Sequence, residues 1–500
     1  VPRILRRVEL AGCLAVYVLL SVLLFDPKLY TGGDNAVYLV LARSLATGQG
    51  FTNLHLPGKP AQTDYPPGFP ALLAAQQCLF GPGVIKSKLL VMLFGLGAAL
   101  YTFLLLQRTL GAYGRHAAWF ALSVPPLITY NHWVLTEVPF LAVSVAALYF
   151  LHLSLDGSHR ALLPGLVLTL VALTFRVAGL ALVLGVVLAL LFKRRWLALV
   201  VFSAASATLV GLWVWRNAGT GAGSVYLNQL LARDPYVPDF GRVGITDVAQ
   251  RAGRNFLRYA FTVLPGALLP LASTRPVSIG AGTVLSGLCL LGVVCHRRRF
   301  TVVEAYAGCA AVMLLFWPEV WSDERFLVPL LPLVIIFIGN GLVWIEQRLK
   351  RSWLAAVVLS ALAGLNVVSL GQDAVRSARN NLAYLRGDRM AGYSLDWRRY
   401  FECIEWLKGN TSEDAVILAR KPEFVFFLSG RRSLCYPFTN DRARVRAAVL
   451  ASDYVLFDNF RWTETGRHFL NPVLADDPGL FELVRQTDFP QFFILRVNRP

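Results

Sequence analysis

Apolar runs of about 20 residues, the length that crosses a bilayer core, recur along this chain as far as residue 371 and then stop. In hydrocarbon, backbone N–H and C=O groups must be satisfied within the segment, so each run commits to helix. The candidate spans are roughly 8–25, 84–106, 116–134, 137–155, 161–175, 177–192, 196–215, 279–295, 302–317, 326–345 and 353–371, eleven in all. A hydrophobic share of 56% agrees with this pattern and lies above that of a soluble domain. The expectation is a polytopic α-helical membrane module over 1–371, followed by a soluble α/β domain over 372–500.

The net charge of +18 does not point to nucleic acid, because the arginines punctuate apolar spans instead of forming one stripe. They fall in alternate connections: Arg6 and Arg7, Arg108 and Arg115, His159 and Arg160, Lys193 to Arg195, Arg297 to Arg299, then Arg348, Lys350 and Arg351. The positive-inside rule puts these in the cytoplasm. No small-residue cleavage site precedes Asp26, so the N-terminal run reads as the first span. Eleven crossings from a cytoplasmic N-terminus leave the tail extracytoplasmic, in a plasma or inner membrane. A further apolar stretch, Phe256 to Ala272, is broken by Pro265, Gly266 and Pro270. It is read as a helix at the outer interface, since a crossing there would turn Arg297 to Arg299 outward.

This topology gathers Asp34, Lys59, Tyr65, His132, Glu137, Arg176, Arg216, Asp323, Glu324 and Arg325 at the outer face. The first outer loop, 26–83, opens with Asp34 after a Gly-Gly turn and closes on Tyr65-Pro66-Pro67-Gly68, where both prolines fix φ. The hairpin Ala161 to Phe192 rises only about 48 Å as helix, against roughly 60 Å for two full crossings. Arg176 at its tip then sits below the outer surface, either facing a polar cavity or snorkelling to the headgroups. In the long outer loop, 217–278, GTGAGS at Gly219 to Ser224 follows an apolar helix and not a strand, which disfavours a dinucleotide site.

Seven cysteines show no metal spacing, and Cys403 and Cys435 in the tail are candidates to pair. The tail alternates helix and strand: helices at 396–408, 422–428 and 441–450, and strands at 415–419, 433–436, 453–457, 481–485 and 492–497. It has no nucleophile elbow and no His/Cys/acid cluster, so its expected part is positioning or acceptor recognition.

Several motifs carry a resemblance: Gly33-Asp34-Asn35-Ala36-Val37-Tyr38 after the first span, Tyr65-Pro66-Pro67-Gly68-Phe69-Pro70, Thr136-Glu137, Phe175-Arg176, and Glu324-Arg325-Phe326-Leu327-Val328-Pro329-Leu330-Leu331-Pro332. In the tail Trp406-Leu407, Ala419-Arg420-Lys421-Pro422 and Ser429-Gly430-Arg431-Arg432 join them. The chain resembles the polyprenyl-phosphate-sugar-dependent glycosyltransferases of the GT-C fold, in the ArnT-like and protein O-mannosyltransferase group. The resemblance implies a lipid-linked sugar donor, an inverting transfer on the outer face, and a glycan, lipid or protein acceptor. It implies Asp34 as base, Glu137 steadying the acceptor or a divalent metal, and donor-phosphate binding by Arg176, Arg325, Lys59 and Tyr65. In the aminoarabinose transferases a Lys-Pro-Pro lysine contacts the donor phosphate; here Tyr65 stands before Pro66-Pro67, so other cations must take that part.

The residue types suit the chemistry. A carboxylate can take the acceptor's proton, arginines can stabilise the departing phosphate, and a single base opposite the leaving group implies inversion. Each residue also has a plainer reading. Asp34 could be an ordinary helix N-cap, Glu137 could cap its span, Arg325 could anchor at the interface, Tyr65 could pack the turn, and His132 could be structural. A transporter or flippase would show internal repeats, and none is visible; a receptor using the outer domain is a further alternative.

Overall fold

The computed structural model describes residues 3–155, 157–220, 225–270, 274–296 and 301–499. Arg297 to Arg299, and Gly221 to Ser224 of the glycine-rich stretch, lie outside these.

The membrane module is helical. It begins with α1 (Arg3–Leu23), α2 (Asn35–Ala46), α3 (Gly68–Phe80), α4 (Val84–Leu110), α5 (Gly114–Ser123), α6 (Pro125–Thr129), α7 (Glu137–Leu155), α8 (Leu162–Phe175) and α9 (Gly179–Phe192). It continues with α10 (Trp196–Ala218), α11 (Val225–Leu231), α12 (Ile245–Arg258), α13 (Leu264–Leu268), α14 (Arg275–His296), α15 (Val302–Phe316), α16 (Glu324–Leu327), α17 (Leu331–Leu349) and α18 (Leu354–Leu385). Among the described residues, six helical segments are long and apolar enough to cross a membrane: Val84–Ser123, Glu137–Leu155, Trp196–Ala218, Arg275–Cys295, Glu324–Leu349 and Leu354–Leu385. Shorter apolar helices, including His159–Phe175, Gly179–Phe192 and Val302–Phe316, pack among them.

Two departures from the sequence reading have clear causes. The expected single span over 116–134 is interrupted at Val124, whose extended backbone precedes the Pro125-Pro126 start of α6. Proline removes the helix N–H and forces its predecessor out of the helical region. The expected border at residue 371 falls inside α18, which runs on to Leu385; beyond the apolar stretch its polar turns hold the first loop, as when Asn381 Nδ2 donates to Phe25 O at 2.6 Å. Of the stretch Phe256 to Ala272, residues 256–268 are helical, the end of α12 passing through a π turn at Tyr259–Val263 into α13, and Leu271 and Ala272 lie outside the described residues. Helix α14 packs so closely on α17 that a Cβ at Gly292 would collide with the Phe337 carbonyl, the small-residue contact that lets helix backbones approach in a membrane.

The tail follows the sequence reading closely. Helix α19 (Leu395–Asn410) leads into β1 (Val416–Ala419), α20 (Pro422–Ser429), β2 (Arg432–Leu434), α21 (Arg442–Leu450), β3 (Tyr454–Phe457), α22 (Asn471–Asp476), β4 (Phe481–Gln486) and β5 (Phe493–Val497). The five strands form one sheet in the order β2-β1-β3-β5-β4, with β1 parallel to both β2 and β3, and β5 antiparallel to β3 and β4. Trp397, Tyr400, Phe424, Phe460 and Phe492 close its core with ring centroids about 5–6 Å apart. Cys403 and Cys435, the two candidates to pair, are both free thiols.

The domain is clamped onto the first loop. Ser433 N donates to His55 O at 2.7 Å, His55 Nε2 lies 3.9 Å from Glu423, and Arg43 of α2 stacks 5.9 Å from the Phe426 ring of α20. A second clamp joins the long loop, where Asp239 Oδ2 accepts from Thr439 Oγ1 and Asn440 N.

Candidate active site

Asp34 sits in a loop fixed from both sides. Gly33 takes φ +60, a region that L side chains rarely adopt, and a Cβ there would lie 3.3 Å from Arg325 Nη1. Asn35 is fully buried; its Nδ2 donates to Gly32 O at 2.6 Å and its Oδ1 accepts from Val134 N at 2.7 Å. Tyr30 stacks on Trp133 at 3.8 Å between centroids, so the loop is held to the segment leading into α7. The Asp34 carboxylate occupies the N-cap position of α2 but makes no side-chain cap bond. It turns instead to Arg325, whose Nη2 lies 2.6 Å from Oδ2, and to Tyr65, whose hydroxyl donates to Oδ1 at 2.9 Å.

From Arg325 the contacts continue inward. Its Nε donates to Glu137 Oε1, and the same oxygen lies 2.5 Å from Arg176 Nη1. Glu137 is 1% exposed, whereas the Asp34 side chain is 27% exposed. The result is a chain of four charges, Asp34–Arg325–Glu137–Arg176, running from a solvent-accessible end to a buried one. Arg176 ends α8 and lies 5.4 Å from the Phe326 ring; it turns into the bundle and does not snorkel to the surface. Glu137 starts α7, yet its carboxylate is directed to guanidinium groups, and Oε2 has no partner among the described residues. The cap or anchor readings of Asp34, Glu137 and Arg325 therefore do not describe where these side chains go. His132 does behave structurally, with Nε2 2.8 Å from Ser21 O.

Burial by itself would raise the Asp34 carboxyl. The charge and hydrogen bond of Arg325, with the Tyr65 hydroxyl and the Lys421 charge, outweigh it and hold the group below its ordinary value. Tyr65 shifts the opposite way: burial, then the Asp34 charge, push its hydroxyl well above the ordinary value, so it stays a donor. Asp34 is thus ionised, and since each carboxylate oxygen has two lone-pair directions, each retains one for a further donor.

Lys59 is not brought to this cluster. It is exposed, takes φ 47, and donates from Nζ to Gln49 Oε1 at 2.7 Å beyond the far end of α2, a helix about 18 Å long. Among the described residues no three His, Cys, Asp or Glu side chains converge to hold a metal ion.

The site also includes residues that the sequence reading gave no such part. Arg420 and Lys421 follow β1 in the α/β domain, and the Lys421 charge acts on the Asp34 carboxyl. The Arg420 guanidinium lies 4.6 Å from the Phe438 ring and 5.3 Å from that of Trp462, and Lys421 Nζ lies 5.5 Å from Trp462. Tyr236 of the long loop, edge-on to Trp321 at 5.7 Å, faces the same space. A strand followed by two cations and a proline-started helix was visible in the sequence, but not its approach to residue 34.

No protein-family model and no curated protein matches this chain. Among solved structures it is similar to ArnT from Cupriavidus metallidurans in the apo state, with TM-score 0.56, 16% identity and 97% of each chain covered. The same protein bound to undecaprenyl phosphate gives TM-score 0.53, 15% identity and 97% of each chain covered. The Archaeoglobus fulgidus oligosaccharyltransferase in complex with Zn and sulfate gives TM-score 0.58 at 12% identity, over 97% of this chain and 73% of that one. At such identities the likeness is one of architecture, and it extends over nearly the whole chain: this integral membrane protein has the GT-C fold of membrane glycosyltransferases.

Proposed function

We propose that the protein is an inverting glycosyltransferase that moves a sugar from a polyprenyl-phosphate donor to an acceptor on the extracytoplasmic face. The observation that carries this reading is the Asp34 carboxylate, ionised and partly exposed, gripped by Arg325 and Tyr65 at the junction of membrane module and outer domain. Its free lone pairs accept the proton of the acceptor hydroxyl as that oxygen attacks the anomeric carbon. The carbon–phosphate oxygen bond breaks on the opposite face, and the electron pair leaves with the lipid phosphate. Because a phosphate is already a stable leaving group, a weak base suffices, and the main task is to hold charges in place. Arg325 and Arg176 do this from within, and Glu137 fixes both guanidinium groups. Tyr65 orients the base, and Lys59 has no part.

In this reading eleven crossings place the N-terminus in the cytoplasm and the α/β domain that follows α18 outside an inner or plasma membrane. An apolar groove of about 480 Å³ between α8 and α10, lined by Val167, Leu170, Val171, Leu209 and Leu212, suits a prenyl chain. It includes Thr174, which touches the Gly68 turn that follows Tyr65. ArnT has been seen with undecaprenyl phosphate, which agrees with such a donor here.

The test is to incubate the purified protein with undecaprenyl-phosphate-linked hexoses and pentoses and to follow release of undecaprenyl phosphate. Asp34→Asn is expected to lower release by about 10²-fold or more. Undiminished release by this variant would overturn the assignment of the base.

A further inference from the structure

The four charges at the candidate site cancel. Two arginines face two carboxylates, and Asp323 and Glu324 add further acidic groups beside Arg325. A phosphate that gains negative charge as the sugar leaves therefore needs positive charge from elsewhere. Tyr65 supplies none, and Lys59 is remote.

The outer domain supplies it. Strand β1 lies between β2 and β3, all three parallel, and the chain leaves β1 toward one neighbour and returns on the other side. In sheets of this type, ligands bind outside the carboxyl ends of the strands where the strand order reverses. Arg420 is the first residue after β1 and Asp458 the first after β3. Arg420 Nε donates to Thr465 Oγ1 at 3.1 Å, while stacking on Phe438 and Trp462 fixes the guanidinium plane. Its two Nη groups, like Lys421 Nζ, make neither an ion pair nor a hydrogen bond among the described residues. Of the nearby acids, Glu423 lies 3.9 Å from His55 Nε2 and also acts by charge on Lys421, and Asp458 acts on Arg420, so each cation faces one carboxylate without a direct contact to it. Helix α20 packs on α2, with Phe426 near Arg43 and Ser433 bonded to His55 further along both, so the two run the same way and the Lys421 charge, just before α20, acts on Asp34, just before α2.

We propose that Lys421 and Arg420, at the carboxyl end of β1, form the seat for the phosphate of the lipid-linked donor, so that the active site is shared between the membrane module and the outer domain. This rests on the glycosyltransferase reading above. The two cations act as charge-assisted donors to the phosphate oxygens. Trp462, 47% exposed beside both cations, closes the outer side of the seat.

The experiment measures binding, not turnover, on the full chain in detergent micelles, with undecaprenyl phosphate, undecaprenol and inorganic phosphate as probes. Wild type is expected to prefer undecaprenyl phosphate over undecaprenol. Lys421→Gln and Arg420→Gln should each weaken undecaprenyl phosphate binding by about tenfold or more, with undecaprenol binding unchanged. Lys421→Arg should keep most of the affinity, and an unchanged melting temperature in each variant separates lost charge from lost fold. If wild type does not discriminate undecaprenyl phosphate from undecaprenol, the functional reading itself fails. If it does discriminate and the variants match it, the seat lies elsewhere and only this inference falls. If the variants lose inorganic phosphate but retain undecaprenyl phosphate, the crevice serves a different anion, and the proposal is equally overturned.

Discussion

Arg325 Nη2 lies 2.6 Å from Asp34 Oδ2 although 291 residues separate the two. The same guanidinium reaches the almost fully buried Glu137, so one side chain ties the accessible carboxylate to the interior. Breaking a buried pair by removing one partner is costly because it strands the other charge. Arg325→Met should therefore lower stability by about 3 kcal/mol, read as a fall in the apparent melting temperature in detergent. Adding Glu137→Gln should recover part of that loss without restoring transfer. A single variant as stable as wild type would mean that Glu137 is satisfied by Arg176 alone.

Tyr65→Phe removes one of the two hydrogen bonds that help hold the Asp34 carboxyl down. The charged and titratable groups around it are Arg325, Tyr65, Tyr38 and Lys421, with Tyr226 and Tyr236 of the long loop. A depressed carboxyl stabilises the fold above its ordinary value and loses that contribution as pH falls through the folded one. Wild-type transfer should thus persist as pH falls through the ordinary carboxylate range. The acid limb of the Tyr65→Phe rate profile should move to higher pH, with little change at neutrality. Superimposable profiles would show that the hydroxyl contributes nothing to the base.

Gly33→Ala tests the loop. The φ of +60 penalises any Cβ, and the added methyl would press on Arg325 Nη1 and Leu135 at 3.3 Å. The expected cost is about 1 kcal/mol of stability and about a tenfold loss of turnover, because the base is displaced from Arg325. Turnover that keeps pace with wild type would indicate a loop able to re-form around the methyl.

Asp458 makes a different prediction. Burial, only partly offset by Arg420, raises its carboxyl from 3.8 to about 6, and its Oδ2 has no partner among the described residues. A raised carboxyl costs stability as pH climbs from the unfolded value through the folded one, here by roughly 3 kcal/mol once fully ionised. Asp458→Asn should melt higher than wild type at pH 8, and the two should converge below about pH 4. Equal melting temperatures at pH 8 would mean that water or a ligand already satisfies the carboxylate.

Much of the architecture was legible in the residues themselves. Apolar length dictated the helices of the membrane module, since an unsatisfied backbone has no alternative in lipid. Short strand-like runs between helices and turns marked all five strands of the tail, and Pro422 and Asp441 marked the starts of α20 and α21. Misreadings arose where a local breaker competes with apolar length, as at Pro125-Pro126, or where a helix outlasts its apolar part, as in α18.

Sequence alone also determined which residue types stand at the ends of the apolar runs: a carboxylate after Gly-Gly, Thr136-Glu137, Phe175-Arg176, and Glu324-Arg325. Only the tertiary structure decided which charge meets which. It paired Asp34 with Arg325, buried Glu137 between two guanidinium groups, left Lys59 outside, and brought the Lys421 charge to bear on Asp34 from just beyond the end of a strand. The reason is physical. Helix and strand follow from spacing within about ten residues, whereas an ion pair depends on where packing places two ends far apart in the chain, and on how much water that packing excludes.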